Sequence, residues 1–562
     1  MKRVEQALQK AVKELFKVDM AVEITRPEQK FGDFSCNVAL KLTKQLDQEP
    51  KQTAQKLADY LNSSQIFGWL QKADVAGPGF VNMWLKDDVL NEVLDDAVKQ
   101  GQSYGHSQKY AGQNILVEYL DPNPFKEIHI GHAYTGTVGD AIARLFEAAG
   151  GKVRRVTYQG DVGLHVAKAI YGILQRINND SSKLEIIAVT DRPRFLGEAY
   201  AAGAKMFEED ETAKAEIQSL NKKIYDRSDQ KVNKIHELGR AWSLEYFDKV
   251  YKQFDFTPFE KNYLEGTVAA EGLKLVNEHI ADGVFEKSQG AIIFDGEKYG
   301  LHTRVFVTSQ GLPTYEAKDL GNAMLKMQDY KYDKSIIITA EEQADYFKVM
   351  LKALEQFAPE QAKATTHIPH GMVKLSTGKM SSRSGQVIRA LDLLKNAEEA
   401  AQRMATDKTT PAHDVALAAI KYAFLKNRIG GDIVYDVEES LSLEGNSGPY
   451  LQYAHARARS ILKKATKTTT AVNITEFDEF EKHLSLKISE YPEVVQKATD
   501  ELMPHHICTY LYELAQVFNR FYENDKVIGS PQEPWRIKLV TVYADVLKNG
   551  LSLLKIPAPE HM

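Results

Sequence analysis

The spacing of hydrophobic residues changes character twice along the chain. At the start, Val4, Leu8, Val12 and Phe16 recur at helical spacing, and a second helical run covers about 50–62. Asp74-Val75-Ala76-Gly77-Pro78-Gly79 followed by Phe80-Val81-Asn82-Met83-Trp84-Leu85 predicts a turn and a strand. Residues 1–105 thus read as a small α+β unit, and the polar stretch Gln102-Ser103-Tyr104-Gly105-His106-Ser107 as a linker. From 106 to 410 strand and helix patterns alternate. Ile115-Leu116-Val117-Glu118-Tyr119-Leu120 predicts a strand, Thr135 to Ala149 a helix stopped by Gly150-Gly151, and Val153 to Tyr158 the next strand. Ala291-Ile292-Ile293-Phe294 and Ser335 to Thr339 are later strand candidates, and the charged stretch 176–250 predicts a helical insertion. Strand, helix, strand in one unit implies a doubly wound parallel sheet of Rossmann type. Over 411–562 the pattern is almost wholly helical: Leu511, Leu514, Phe518 and Phe521 form one stripe, Val546, Leu551 and Leu554 another. The expected architecture is an α/β core between a small α+β N-terminal domain and an all-α C-terminal bundle, with the Phe518, Phe521, Tyr522 run in the core.

Length and composition narrow the class. At 562 residues the chain is too long for one core, and no run of 18 apolar residues offers a membrane span. The charged, amphipathic start is not a secretory segment. Two cysteines, Cys36 and Cys508, cannot form a thiolate zinc site alone and suit a reducing compartment, so a cytoplasmic protein without zinc is expected. A net charge of −6 opposes a wholly basic nucleic-acid binder but leaves room for a local basic face.

Two segments carry the candidate chemistry. His129-Ile130-Gly131-His132 stands where a strand's loop enters a helix, and free N–H groups at a helix start suit an anion. Gly131 allows close approach, and His129 and His132 can each donate to phosphate oxygens. Lys379-Met380-Ser381-Ser382-Arg383 lies in a small, polar, glycine-flanked stretch whose cations can reach phosphates and whose serines add hydrogen bonds. It is not a P-loop, because Gly378-Lys379 is followed by Met380. Either segment alone would pass as a solvated loop. In this order they point to cleavage of ATP between its α- and β-phosphates.

The pair resembles the HIGH and KMSK motifs of the class I aminoacyl-tRNA synthetases, and the surrounding residues resemble the arginyl-tRNA synthetase family over essentially the whole chain. The likeness rests on Phe31-Gly32-Asp33-Phe34-Ser35, Ala76 to Asn82, Gly160-Asp161-Val162-Gly163, His370-Gly371-Met372-Val373, Gly448 to Arg457 and the ending Ala558 to Met562. It implies L-arginine, ATP with Mg²⁺, and tRNA(Arg) as partners, and arginine activation that needs bound tRNA. Family residues carried over for ATP are Gly131, Asn123, Met372, Val373, Met380, Ser381 and Ser382, and for arginine Glu118, Asn123, Tyr315, Asp319 and Gln343. Tyr315 and Asp319 are one helical turn apart, and a guanidinium needs carboxylate acceptors. Asp319 is therefore assigned to it, with Tyr315 and Gln343 orienting the substrate and Glu118 and Asn123 at its α-amino end. For tRNA the likeness suggests Phe80 and Asn82 at the elbow, and Tyr450, Tyr453, Arg457 and Met562 at the anticodon. No membrane partner is expected, and a monomer is the default.

Where the family commonly has serine this chain has Asp121, where it has Leu-Arg this chain has Ala133-Tyr134, and Val162 stands where Trp is common. The rival readings are a class I synthetase for another amino acid and a non-catalytic tRNA-binding paralogue.

Overall fold

The structure, a computed structural model, describes residues 2–64, 67–376, 388–404, 410–465, 474 and 476–562. The N-terminal unit is a four-stranded antiparallel sheet of β1 (Ile24–Thr25), β2 (Phe34–Cys36), β3 (Leu70–Ala76) and β4 (Phe80–Leu85), in the order β1-β2-β4-β3. The expected helix near 50–62 runs Pro50–Ser63 with proline in its first turn, where a missing N–H costs nothing. Its Leu57 and Leu61 are buried in the same core as Val81 and Met83 of β4.

The core of the chain is a five-stranded parallel sheet of β5 (Asn114–Glu118), β6 (Lys152–Gln159), β7 (Lys261–Leu264), β11 (Lys334–Ala340) and β12 (Thr365–His370). The order β12-β11-β5-β6-β7 reverses direction at β5. β5 is buried over Ile115–Glu118, as strands covered on both faces are. Between β7 and β11, the strands β8 (Glu286–Ser288), β9 (Ala291–Phe294) and β10 (Arg304–Val307) form a separate antiparallel sheet. Ala291–Phe294 is thus a strand, but not one of the parallel sheet; its burial alternates, the mark of a one-sided sheet. The charged stretch after 176 folds mainly as the helices Arg192–Glu209, Glu211–Asp226 and Gln230–Gln253. They share a core with the helix Leu164–Arg176, through Leu196, Ile217 and Ile235 against Val166 and Ile170.

β13 (Val373–Leu375) pairs in parallel with β14 (Ile433–Tyr435) and ties the sheet to the helical part. The long helices from there on are Gly448–Lys464, Glu479–Ser489, Tyr491–Glu501, His505–Asn524 and Glu533–Leu553. Leu511, Leu514, Phe518 and Phe521 are buried as their stripe requires, with Phe518 stacked on Tyr543 at 3.8 Å between ring centroids.

The stretch 102–107 is not a free linker. Tyr104 is buried, stacks on Tyr491 and donates to the Ile488 carbonyl. The N-terminal unit is docked on the helical part by further polar ties: Lys538 Nζ donates to Asp95, the Phe477 N–H to Asp87, and Asn549 to the Gly101 carbonyl. None of the described helices is long and apolar enough to cross a membrane.

Candidate active site

A cleft of about 510 Å³ opens at the carboxyl ends of β5, β6, β11 and β12, where the strand order reverses and ligands bind in open parallel sheets. The loop leaving β5 carries unusual backbone. Leu120 (φ +80°) and Asp121 (φ +41°) are consecutive non-glycine residues in the left-handed region, and Phe125 (φ +67°) follows. Such conformations cost about 1–3 kcal/mol each and collect at functional sites.

His129 caps the helix Ile130–Ala148. The Gly131 N–H donates to its Nδ1 at 3.1 Å, and the His129 N–H donates to His132 Nδ1 at 3.3 Å. The two rings lie 3.8 Å apart. Because each Nδ1 accepts a hydrogen bond, each neutral ring carries its proton on Nε2. Burial, helped by nearby Lys126, pushes His129 down to about 4; burial, then His129 and Lys126, holds His132 well below its usual value. At neutral pH the pair therefore offers uncharged N–H donors beside the free N–H groups of a helix start. Thr135 Oγ1 meets His370 Nε2 at 2.7 Å and joins this helix to the end of β12.

The second phosphate segment, with Lys379, Met380, Ser381, Ser382 and Arg383, lies outside the described residues. Its flanks do not. On one side Ser376 donates through Oγ to Asp436 at 2.5 Å and through N–H to the Tyr435 carbonyl. On the other, the Ile130 N–H donates to the Ile388 carbonyl, the Ala390 N–H to the Ile128 carbonyl, and Arg389 forms a β-bridge with His129. The chain thus re-enters the fold beside the first segment. Gly371 and Met372 form the turn between β12 and β13, so the expected adenine-side strand is broken there, with Val373 opening β13. Both Met372 and Val373 line the cleft.

The arginine set of Glu118, Asn123, Tyr315, Asp319 and Gln343 converges on the same cleft. Tyr315 and Asp319 stand on one face of the helix Tyr315–Tyr330. Asn123 owes its place to Gly160: a Cβ there would stand 2.3 Å from Asn123 Oδ1. Two of the cleft's acids are already matched. Glu118 Oε2 accepts from Lys326 Nζ at 2.9 Å and from Asn322 at 3.0 Å, and Glu265 pairs with Lys318. Among the described residues Asp319 has only the Tyr346 hydroxyl, at 2.9 Å, and Asp121 only the Tyr158 N–H at 2.7 Å and the Thr157 hydroxyl at 3.3 Å. Among the described residues neither acid forms an ion pair. Burial, then the Glu118 charge, pushes Asp319 up to about 8 and holds Asp121 well above the usual carboxylate range.

A cationic ligand needs Asp319 ionised, so below about pH 8 binding must release its proton. Affinity for arginine is expected to rise from pH 6 to 8 and level off above. In the free protein the raised carboxyl favours folding at acid pH, and that contribution fades as pH climbs through its folded value. The arginine-induced rise in Tm should therefore grow over the same window; a flat profile contradicts the assignment.

Tyr346, Tyr158 and the Glu265–Lys318 pair are site residues that motif reading missed. A sequence signal existed for part of the arrangement: Tyr315, Asp319, Asn322 and Lys326 make a polar stripe at helical spacing. Asp161, by contrast, is structural. Its carboxylate accepts from the Gly266 N–H at 2.8 Å and Arg240 at 2.9 Å, and its carbonyl meets His236 at 2.6 Å.

A second concavity, about 870 Å³, lies in the helical part and is lined by Tyr453, Arg457, Lys463, Lys464, Lys526 and Met562, among others. Arg457 stacks over the Tyr453 ring at 4.8 Å and donates to Asn519. Tyr522, expected in the core with Phe518 and Phe521, is exposed and lines this groove: one step beyond Phe521, it is rotated off the buried stripe. Tyr450 does not line it; its hydroxyl accepts from Asn519 and its ring packs on Tyr512. In the N-terminal sheet Phe80 is exposed, whereas Asn82, expected beside it at the tRNA elbow, is buried and accepts from Ser35 Oγ at 2.7 Å, since its strand lies between β2 and β3.

A parallel sheet whose cleft is headed by two neutral histidines at a helix start, with a separate helical domain, is the architecture of a class I aminoacyl-tRNA synthetase. Residues 92–437 match the family model for class I (R) tRNA synthetases, catalytic domain; residues 2–85 match the arginyl tRNA synthetase N-terminal domain, and 451–562 the DALR anticodon binding domain. The arginine–tRNA ligase of Synechocystis sp. is 32% identical over 570 residues, covering 95% of this chain and 94% of that one. That of Treponema denticola is 29% identical over 509 residues, covering 86% and 85%. The fold agrees with Thermus thermophilus arginyl-tRNA synthetase, with a TM-score of 0.81 at 24% identity over 100% of both chains. The chain belongs to the arginyl-tRNA synthetase family.

Proposed function

We propose that this chain attaches L-arginine to tRNA(Arg) in two steps, through arginyl-adenylate, releasing pyrophosphate and then AMP. The observation that carries the reading is a cleft in which two carboxylates, the buried Asp319 and the half-buried Asp121, have no ion-pair partner among the described residues. A substrate with a guanidinium and an ammonium group supplies both cations. The Asp319 carboxylate takes the guanidinium, held in place by the Tyr346 hydroxyl, with Tyr315 and Gln343 beside it. Asn123 and Gly131 serve the nucleotide side with Met372 and Val373. His129 and His132 donate to phosphate oxygens as pyrophosphate leaves, and Lys379 and Arg383 with Met380, Ser381 and Ser382 serve the same phosphates.

No side-chain nucleophile is required. The arginine carboxylate attacks the α-phosphorus, and the terminal ribose hydroxyl of the tRNA then attacks the adenylate; catalysis is positioning and charge stabilisation. Magnesium enters with ATP as part of the substrate.

Residues 1–105 meet the tRNA elbow through Phe80, residues 106–410 perform the chemistry, and 411–562 read the anticodon through Tyr453, Arg457, Met562 and Tyr522. Base stacking on an exposed aromatic is worth about 1–3 kcal/mol, so Tyr522→Ala is expected to raise KM for tRNA(Arg) roughly tenfold and leave KM for arginine unchanged. Tyr450 supports that surface from behind. The enzyme works as a cytoplasmic monomer. Incubation with tRNA(Arg), MgATP and labelled arginine should give acid-precipitable arginyl-tRNA; no charging under those conditions overturns the reading.

A further inference from the structure

We propose that His370 is a positioning residue for the nucleotide: through the Thr135 hydroxyl it fixes the distance between the turn that takes the base and the helix start that takes the phosphates. The inference rests on the ATP reading above and goes beyond it, since neither side chain carries a role there.

His370 ends β12 and is buried, as is Thr135 on the helix Ile130–Ala148, and both line the cleft. The hydrogen bonds of the ring settle where its proton sits. Nδ1 lies 2.8 Å from the Gly371 carbonyl, which can only accept, so Nδ1 carries the proton and donates it. Burial holds the imidazole below its usual value, which keeps it uncharged at neutral pH. Nε2 is then a bare acceptor, and its 2.7 Å contact takes the proton of the Thr135 hydroxyl. The same hydroxyl stands 2.9 Å from the Gly131 carbonyl, in the first turn of the helix.

One imidazole thus spans the two ends of the nucleotide site. On one side Nδ1 holds the turn Gly371–Met372, whose exposed Met372 lines the cleft. That turn is backed from the helical side: the Met372 N–H donates to Asp432 at 2.9 Å, the Ile433 N–H donates to the Met372 carbonyl at 2.8 Å, and a Cβ on Gly371 would stand 2.3 Å from the Gly431 backbone. On the other side Nε2 reaches, through Thr135, the helix start at Gly131. The Tyr134 ring meets the imidazole edge to face at 4.9 Å and limits its rotation. A tie between two halves of a site favours a ligand that touches both halves, because the ligand finds them already spaced. A ligand that touches one half gains nothing from it.

The test compares ATP with its two separate parts, adenosine and pyrophosphate, by titration calorimetry on the full chain with tRNA(Arg) and Mg²⁺ present throughout. Thr135→Val removes the proton that meets Nε2 and keeps the shape of the side chain. His370→Phe removes the acceptor and keeps a ring against Tyr134. Each should weaken ATP by about tenfold, since losing one partner leaves a buried polar group unmatched. Adenosine and pyrophosphate should each stay within about twofold of wild type. The two changes together should weaken ATP no further than either alone, because they cut the same bond. Thr135→Ser, which keeps the hydroxyl, should bind ATP as wild type does, and KM for arginine in pyrophosphate exchange should not move in any variant. Unchanged ATP affinity in both Thr135→Val and His370→Phe overturns the proposal. So does equal weakening of ATP and adenosine, which is what a distorted pocket would give. Wild-type protein that binds ATP no better than its parts would overturn this inference alone. Wild-type protein that binds no ATP would overturn the nucleotide reading of the cleft, and this inference with it.

Discussion

Replacing Asp319 by alanine should lower kcat/KM for arginine by about a thousandfold, since truncating one partner of a buried charge pair costs about 2–5 kcal/mol. The loss has two parts. The guanidinium forfeits its charged acceptor, and it is left desolvated beside Tyr315 and Tyr346 with no ion to answer it. Glu118 and Glu265 cannot substitute, because Lys326 and Lys318 already neutralise them. KM for ATP should stay within a few-fold, since Asp319 stands on the Tyr315–Tyr330 helix and not on the loop that carries the histidines. Asp319→Asn retains an acceptor for the Tyr346 hydroxyl and should fall between the two. The readout is steady-state charging as a function of arginine concentration, and a change smaller than tenfold in Asp319→Ala contradicts the assignment.

Removing the His132 imidazole should act on kcat instead. A single donor aimed at developing charge is worth about 10²–10³ in rate, so His132→Ala is expected to slow adenylate formation by that factor with little effect on KM for arginine. His132 also accepts the His129 N–H, so the variant loses part of the helix cap, at about 1 kcal/mol of stability. Single-turnover formation of the adenylate separates the two effects: a loss of catalysis persists at temperatures where the fold is intact, a loss of stability does not. A rate unchanged at low temperature would show that the histidine's work is structural.

Much of the fold could be read from the chain because local pattern and tertiary role coincide. The central strands β5 and β11 of the parallel sheet are mainly apolar runs, and the stripe Leu511, Leu514, Phe518, Phe521 faces inward at helical period. Reading failed where neighbours, not period, decide. Ala291–Phe294 looks like any strand, and only its partners put it in the separate sheet. Asn82 lies on an alternating strand, but its burial depends on Ser35, far away in sequence. Tyr104 and Gly105 have linker composition, yet close packing on Tyr491 makes them an interface.

The sequence singles out residues that line one cleft, but it does not show how they pair. His129, His132, Asn123, Tyr315, Asp319 and Gln343 do converge on one cleft. That Glu118 is matched by Lys326 while Asp121 and Asp319 are not depends on a helix and a sheet meeting, and no spacing records it. Tyr346 went unnoticed for the same reason: three residues after Gln343, it carries no motif and gains its role only from the distance of its hydroxyl to Asp319.

ATP–pyrophosphate exchange, run with each of the standard amino acids in turn, with and without tRNA(Arg), tests the reading most directly. Exchange is expected with arginine and tRNA(Arg) together, little or none with arginine alone, and none with lysine, whose ammonium cannot meet a carboxylate in bidentate fashion. Exchange supported equally by an uncharged amino acid, or no exchange under any condition, would contradict it.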